Sequence, residues 1–232
     1  MPVTPTPPIV EAHGVEKTYR RGRTEVAALR GIDLSIEPGE VLFVVGPSGG
    51  GKSTLLNLVG GLDRPDRGKI VVAGTDVSVA SERALDRFRR RHLGFVFQFF
   101  NLLGTLTARD NVAVALAARR GRSWGDARAE ANRLLDELGL GARADHRPAE
   151  LSGGEQQRVA IARAVAGEPA LILADEPTGN IDSAATAAVM SLLVTLKETR
   201  GVTLLIVTHD YSLRRYAGRV LEMVDGHLTA SG

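Results

Sequence analysis

The chain has 232 residues, long enough for one domain with an insertion, and its 44% hydrophobic and 24% charged residues exclude a disordered or collagen-like polymer. Its 29 basic and 27 acidic residues leave a net charge of +2, too weak a field to suggest nucleic acid, and one Trp, three Tyr and six Phe make a poor stacking platform for single strands. The absence of Cys excludes disulfides and thiolate metal sites, and the longest apolar run, residues 112–118, falls far short of the ~20 residues that span a bilayer.

In chain order, residues 1–8 hold Pro2, Pro5, Pro7 and Pro8 and read as a flexible tail, without the charged-then-apolar pattern of a signal peptide. Residues 9–36 alternate, with breaks at Gly14, Gly22 and Gly31, and predict antiparallel strands. Pro38-Gly39 marks a turn. Val41–Val45 is continuously apolar, the pattern of a strand buried on both faces. Residues 54–59 predict a short buried helix ended by Gly60-Gly61, residues 69–73 a strand, and residues 81–92 a helix with a basic surface. After the short apolar run 95–97, residues 107–140 look helical with a polar break at 119–125. Ala127, Ala131, Leu134, Leu135 and Leu138 recur at helical spacing. This stretch marks an inserted helical subdomain, placed at about 99–160 within a single domain over 9–232.

Beyond it, helix 155–166, buried strand 171–174, helix 184–199 and buried strand 203–207 alternate, so an α/β fold with a parallel sheet and helices on both faces is expected. Asp225-Gly226 between apolar runs predicts a closing hairpin. No internal repeat is visible.

Gly46-Pro47-Ser48-Gly49-Gly50-Gly51-Lys52-Ser53 fits G-x-x-x-x-G-K-[ST] between a buried strand and a helix, the context the phosphate-binding motif requires. Glycines let successive backbone N–H groups converge on phosphate oxygens, and the helix dipole adds to them. Lys52 is expected to neutralise the outer phosphates and Ser53 to offer its hydroxyl to Mg²⁺. Asp175 and Glu176 end an apolar run, where α/β sheets bind ligands. Asp175 is the candidate metal carboxylate, and Glu176 the candidate group that orients or deprotonates an attacking water. Ser152-Gly153-Gly154-Glu155 reads plainly as a capping box, yet its bare glycines at a helix start also suit a second anion site.

Taken together, these residues resemble the ABC-type ATPases. Leu151-Ser152-Gly153-Gly154-Glu155-Gln156-Gln157-Arg158 is similar to their signature motif, and the 123 residues from Lys52 to Asp175 are typical of the transporter type. The resemblance runs from about residue 9 to about residue 231. It implies a P-loop, RecA-like core with a mainly parallel sheet, an N-terminal antiparallel β subdomain and the inserted helical subdomain. It also implies ATP and Mg²⁺ as ligands and two copies sandwiching two ATP molecules, each between the P-loop of one and the signature of the other. Tyr19 then matches the aromatic that stacks on adenine, and Thr54 closes the P-loop set. Gln98 matches the glutamine that reaches metal and water, Asp182 the residue linking the two ATP sites, and His209 the histidine at the γ-phosphate.

Residues 95–103 and Thr178-Gly179-Asn180 resemble the lipoprotein-release and macrolide-export group, with the cell-division ATPase nearby. Gly50 stands where Ser is common, which implies a looser loop, and Gly104 where Pro is usual, which implies a looser segment after Gln98. The implied role is an ATP-hydrolysing subunit, peripheral on the cytoplasmic membrane face, that drives a separate membrane subunit for export or extraction; no nucleic acid is expected. Two alternatives stay open: a regulatory ATPase controlling a membrane partner in cell division without transport, and a soluble DNA-repair type, against which the short 123-residue spacing and the absence of Cys both speak. Phe99, Phe100, Leu102 and Leu103 fit neither helix nor strand alternation, so they are either core or the lining of an exposed groove.

Overall fold

The computed structural model describes residues 7–22, 24–118 and 123–230. Its elements begin with β1 (Val10–Arg21), β2 (Thr24–Ile36), β3 (Val41–Val45), α1 (Lys52–Val59), β4 (Arg67–Val72) and β5 (Thr75–Asp76). Then come α2 (Glu82–His92), β6 (Leu93–Phe97), α3 (Ala108–Ala117), α4 (Trp124–Glu137), α5 (Gly153–Val165) and β7 (Leu171–Asp175). The last are α6 (Ser183–Arg200), β8 (Thr203–Thr208), β9 (Arg219–Val224) and β10 (His227–Ala230). Of the expected tail, residues 1–6 lie outside the described residues, as do 119–122 of the expected polar break.

One sheet is antiparallel and ordered β2-β1-β4-β5; the other is ordered β10-β9-β3-β8-β7-β6 and parallel except for the β9–β10 hairpin. The apolar runs explain the second sheet. Phe43, Val45, Ile172, Ala174, Leu204 and Ile206 point to one core, shared with Val112, Leu135, Ile161 and Leu193 of the helices. Leu42, Val44, Leu171, Leu173, Leu205 and Val207 point to the other, shared with α1 and with Val10, Ile36 and Ile70 of the antiparallel sheet. Since side chains alternate with period 2, a one-residue slip would exchange the two sets, so both cores fix the register. Complete burial of Phe43 alone contributes roughly 1.5–3 kcal/mol.

Two helix starts differ from expectation for the same reason. The Ser152 hydroxyl accepts from Glu155 N, so α5 already begins at Gly153. The Ser123 hydroxyl accepts from Asp126 N, which draws Gly125 into α4 rather than leaving it in the break. No helix among the described residues is long and apolar enough to cross a membrane.

The register then assembles a site. Val45 lies level with Thr208, Asp175 with Val207, and Phe97 with Asp175. The chain leaving β3, β6, β7 and β8 therefore emerges at one edge, the carboxyl ends of adjacent parallel strands, where such sheets take ligands.

Candidate nucleotide site

A cleft of about 350 Å³ opens at that edge, lined among others by Ser48, Lys52, Ser53, Gln98, Asp175, Glu176 and His209. Its base is the loop between β3 and α1. Gly46, Gly49 and Gly51 have φ of 152°, 82° and 106°. Gly46 and Gly51 are also sterically required: a Cβ on Gly46 would lie 2.0 Å from the Met223 carbonyl oxygen, and one on Gly51 2.4 Å from that of Ala28.

α1 differs from the other five α-helices. Ser81, Thr107, Ser123, Ser152 and Asp182 each cap one with a side-chain oxygen, whereas Gly51 has no side chain to offer and the first turn of α1 holds no acid. The first amides of α1 are therefore left for an external anion. Lys52, only 6% exposed, donates from Nζ to the carbonyl oxygens of Gly46 (2.8 Å) and Pro47 (2.9 Å). Burial lowers its pKa, and the charges of Glu176 and Asp175 oppose that shift.

Gly50 does not loosen the loop. Its N–H donates to Pro47 O (3.2 Å) and its carbonyl accepts from Gly226 N (3.1 Å), so the β9–β10 hairpin ties it down. The same turn continues to β2, where Arg30 N donates to Gly226 O at 2.9 Å.

Two acid clusters face this loop. The Ser53 hydroxyl donates to Asp175 Oδ1 at 3.0 Å. Burial, with the Glu176 charge as a lesser cause, raises the Asp175 pKa, while Ser53 and Lys52 pull it down. Hydroxyl and carboxylate oxygens meeting beside Gln98 suit a small hard dication that keeps most of its positions for phosphate oxygens and water. One residue on, Glu176 takes a left-handed φ of 47°, which few non-glycine residues adopt. Its Oε1 accepts from His209 N (2.9 Å) and His209 Nδ1 (2.7 Å), and its Oε2 from the Thr208 hydroxyl (2.8 Å). Donation from Nδ1 leaves His209 Nε2 as the free ring nitrogen.

The other expected site residues lie in the lining of this cleft, at its margin or apart from it. Tyr19 pairs across the sheet with Val26, which lines the cleft, and Thr54 lies in the lining itself. The Tyr19 hydroxyl donates to Asp63 Oδ2 (2.8 Å), and Lys17 Nζ sits 5.2 Å from the ring centroid. Burial and Asp63 push the phenol up to about 12, so it stays neutral. Ser152, Gly153, Gly154 and Glu155 do not line the cleft, and Asp182 accepts from Ala185 N at the start of α6.

Ser152 and Glu155 form the reciprocal capping box: Ser152 N donates to Glu155 Oε2 (2.8 Å) and Glu155 N to Ser152 Oγ (3.2 Å). The Ser152 backbone bond is the main cause that lowers the Glu155 pKa. A depressed carboxylate adds stability above its ordinary value near 4.5 and loses it as pH falls through its folded value. Glu155→Gln is therefore expected to melt below the wild type at neutral pH, by roughly 0.3–1 kcal/mol. The gap should close on acidification below 4.5; thermal melts from neutral to acid pH check this, and a gap that stays constant contradicts it.

Several contributors were not read from the sequence. Val26 and Ala28 bring β2 to the cleft wall, and Thr208 orients Glu176. Asn111, buried, donates to the carbonyls of Leu103 (3.1 Å), Leu106 (3.3 Å) and Thr107 (3.0 Å) and accepts from Leu103 N (2.7 Å). The segment at Gly104 is thus fastened rather than loose. Arg163 of α5 holds the carbonyls of Phe100 (2.8 Å) and Asn101, two consecutive left-handed residues. Of these, only Thr208, a polar end to an apolar run, left a signal in the sequence.

A phosphate loop at the head of an uncapped helix, with two consecutive acids at the end of β7, one strand beyond β8, the neighbour of β3, defines a P-loop nucleoside triphosphatase. Residues 29–179 match the ABC transporter family. The chain is 48% identical over 221 residues to the lipoprotein-releasing system ATP-binding protein LolD 2 of Caulobacter vibrioides, covering 95% of this chain and 96% of that protein. It is 47% identical over 219 residues to the macrolide export ATP-binding/permease protein MacB of Rhodopirellula baltica, covering 94% of this chain and 32% of that one. The dimeric post-hydrolysis structure of the ATP-binding cassette MJ0796 bound to ADP and Pi superposes with a TM-score of 0.88 at 40% identity, covering 96% of this chain and 99% of that one. The chain belongs to the ABC transporter family and is an ATP-binding, ATP-hydrolysing cassette of it.

Proposed function

We propose that two copies of this chain close around two ATP molecules and that hydrolysis reopens them, driving a separate membrane subunit from the cytoplasmic face. The observation that carries this reading is the convergence of the uncapped α1, Lys52, the Ser53–Asp175 pair and the Glu176–Thr208–His209 cluster at one sheet edge. Gly46, Pro47, Ser48, Gly49, Gly50, Gly51 and Thr54 shape the phosphate cradle, and Lys52 balances its charge. Ser53 and Asp175, with Gln98 beside them, would hold Mg²⁺, which neutralises charge on the phosphate oxygens. Glu176, fixed by three donated hydrogen bonds, takes a proton from the attacking water as its oxygen bonds to the γ-phosphorus and the bond to the bridging oxygen breaks. A proton on His209 Nε2 would let it donate to the γ-phosphate, whose oxygens only accept, and Tyr19 offers its neutral ring to the base.

The Ser152–Glu155 turn lies outside the cleft, so in this reading it serves the partner copy's nucleotide, with Asp182 at the junction. Support for two copies comes from the dimeric MJ0796 cassette. ATPase activity is then expected to rise more than linearly with protein concentration and to remain weak in the monomer. Activity strictly proportional to concentration from the lowest measurable level would sink the composite site.

The names of the relatives support export or extraction as the work done. LolD 2, matched over nearly its whole length as an ATP-binding protein, supports a membrane part on another polypeptide, whereas MacB is named as ATP-binding and permease protein in one. We place the docking of that subunit after Gln98. Phe99 is 74% and Leu103 53% exposed, while Leu102 packs on the core and the Phe100 ring lies close to Gly153. The apolar run is thus split, part core and part surface. Phe99→Ser and Leu103→Ser are expected to melt like the wild type yet lose pull-down of the membrane subunit and its stimulation of hydrolysis. Retained stimulation in both would move the docking site elsewhere.

A further inference from the structure

Tyr19 is fastened at both ends. Its backbone pairs with Val26 across β1 and β2, and its hydroxyl donates to Asp63 Oδ2 at 2.8 Å. The side chain is nonetheless 39% exposed, so part of the ring is open to a ligand. A hydrogen bond from Thr54, in the first turn of α1, opposes the rise that burial and Asp63 cause in the pKa of the phenol. The phenol oxygen thus meets the start of α1 through Thr54 and the turn that follows α1 through Asp63.

Asp63 is held more firmly than an ordinary surface acid. Its Oδ1 accepts from Arg64 N (2.7 Å) and from Lys17 Nζ (2.9 Å). Lys17 is buried and also donates to Arg64 O at 2.6 Å, with its Nζ 5.2 Å from the centroid of the Tyr19 ring. Asp66 completes the clasp: its N donates to Glu16 O (2.9 Å) and its Oδ2 accepts from Thr18 N (2.6 Å). The turn between α1 and β4 is therefore buckled onto residues 16–19 of β1. The two oxygens of Asp63 divide the work. Oδ1 serves the turn and Lys17, which would suffice for the fold, whereas Oδ2 serves the Tyr19 hydroxyl.

We propose that Asp63 is a positioning residue for the nucleobase: it fixes the Tyr19 ring at the distance from the phosphate cradle where a base joined to bound phosphates can stack. The inference rests on the reading of Tyr19 as the base platform, and adds what sets that platform in place. Asp63 lies outside the lining of the cleft, so it acts through the ring and not on the phosphates. A ring ordered before the base arrives has little freedom left to lose on binding. The phosphate loop precedes α1 and Asp63 follows it, so one rigid helix sets the spacing between the two halves of the nucleotide site.

The test is steady-state ATP hydrolysis by the full-length chain, with inorganic tripolyphosphate, which carries phosphates and no base, as a competing inhibitor. Asp63→Ala is expected to raise KM for ATP about fivefold, within the roughly 2- to 12-fold that ordering one side chain costs. Its kcat and its inhibition constant for tripolyphosphate should stay within about twofold of the wild type. Asp63→Asn should keep the wild-type KM, because its amide can still bond the phenol oxygen. Tyr19→Phe, which leaves the Lys17–Asp63 pair whole, should raise KM as Asp63→Ala does, and the two changes together should add nothing further. If the wild type holds tripolyphosphate as well as ATP, the reading of Tyr19 as a base platform falls and this inference with it. Only this inference falls if Asp63→Ala or Tyr19→Phe keeps the wild-type KM, or if their effects add. It falls as well if Asp63→Ala weakens ATP and tripolyphosphate alike, since Asp63 then supports the phosphate loop and not the ring.

Discussion

Glu176→Gln is expected to slow ATP hydrolysis by about 10²–10⁴, the usual worth of general-base catalysis, while ATP affinity stays near that of the wild type. The amide keeps the shape of the side chain and can still accept from His209 N, and the Thr208 hydroxyl can turn to receive its NH₂. What it cannot do is take a proton from water. Nucleotide bound but not cleaved should hold two copies together, so the variant should elute as a dimer from a sizing column in ATP. Single-turnover hydrolysis near the wild-type rate would remove Glu176 from the chemistry.

Lys52→Ala should fail one step earlier. The ammonium is almost wholly buried at the base of the cleft, held by two loop carbonyls beside Asp175 and Glu176. Its removal leaves the phosphates without their nearest cation and two carboxylates without a counter-charge. Losing one partner of a buried charge pair costs about 2–5 kcal/mol, so ATP affinity should fall at least roughly 30-fold. No dimer should form in ATP. Calorimetric titration with ATP measures this directly, and a dissociation constant within a few-fold of the wild type would contradict the assignment. The two variants thus separate binding from cleavage: one should trap the dimer, the other should never form it.

Much of the architecture was legible because this sheet is buried on both faces. Residues 41–45, 171–174 and 204–207 are apolar without interruption, and helices between them force a parallel arrangement. The phosphate loop was legible because its glycines answer local needs, a positive φ or a neighbouring carbonyl. What escaped depends on partners distant in sequence. Nothing near Val26 or Ala28 says that β2 borders the cleft, since that follows from the packing of the two sheets. Gly50 looked like a weak point because the bond from Gly226 to its carbonyl is invisible locally. Asn111 reads as one polar residue in an apolar helix, although its amide fastens the turn before that helix. The four apolar residues among the five after Gln98 showed no period because Arg163 and Asn111 set their path rather than a ladder of their own.

The hairpin behind the phosphate loop also fixes an order of events during synthesis. Gly46 and Gly50 rest on Met223 and Gly226, which leave the ribosome long after the loop itself. Closing so large a span is entropically slow and must await the later partner. A nascent chain can therefore display the whole phosphate-binding motif and still lack the backing that holds it in shape, and tight nucleotide binding arrives only when β9 and β10 have folded against it. Nucleotide that binds only the backed loop then adds its binding free energy to the docking of this hairpin.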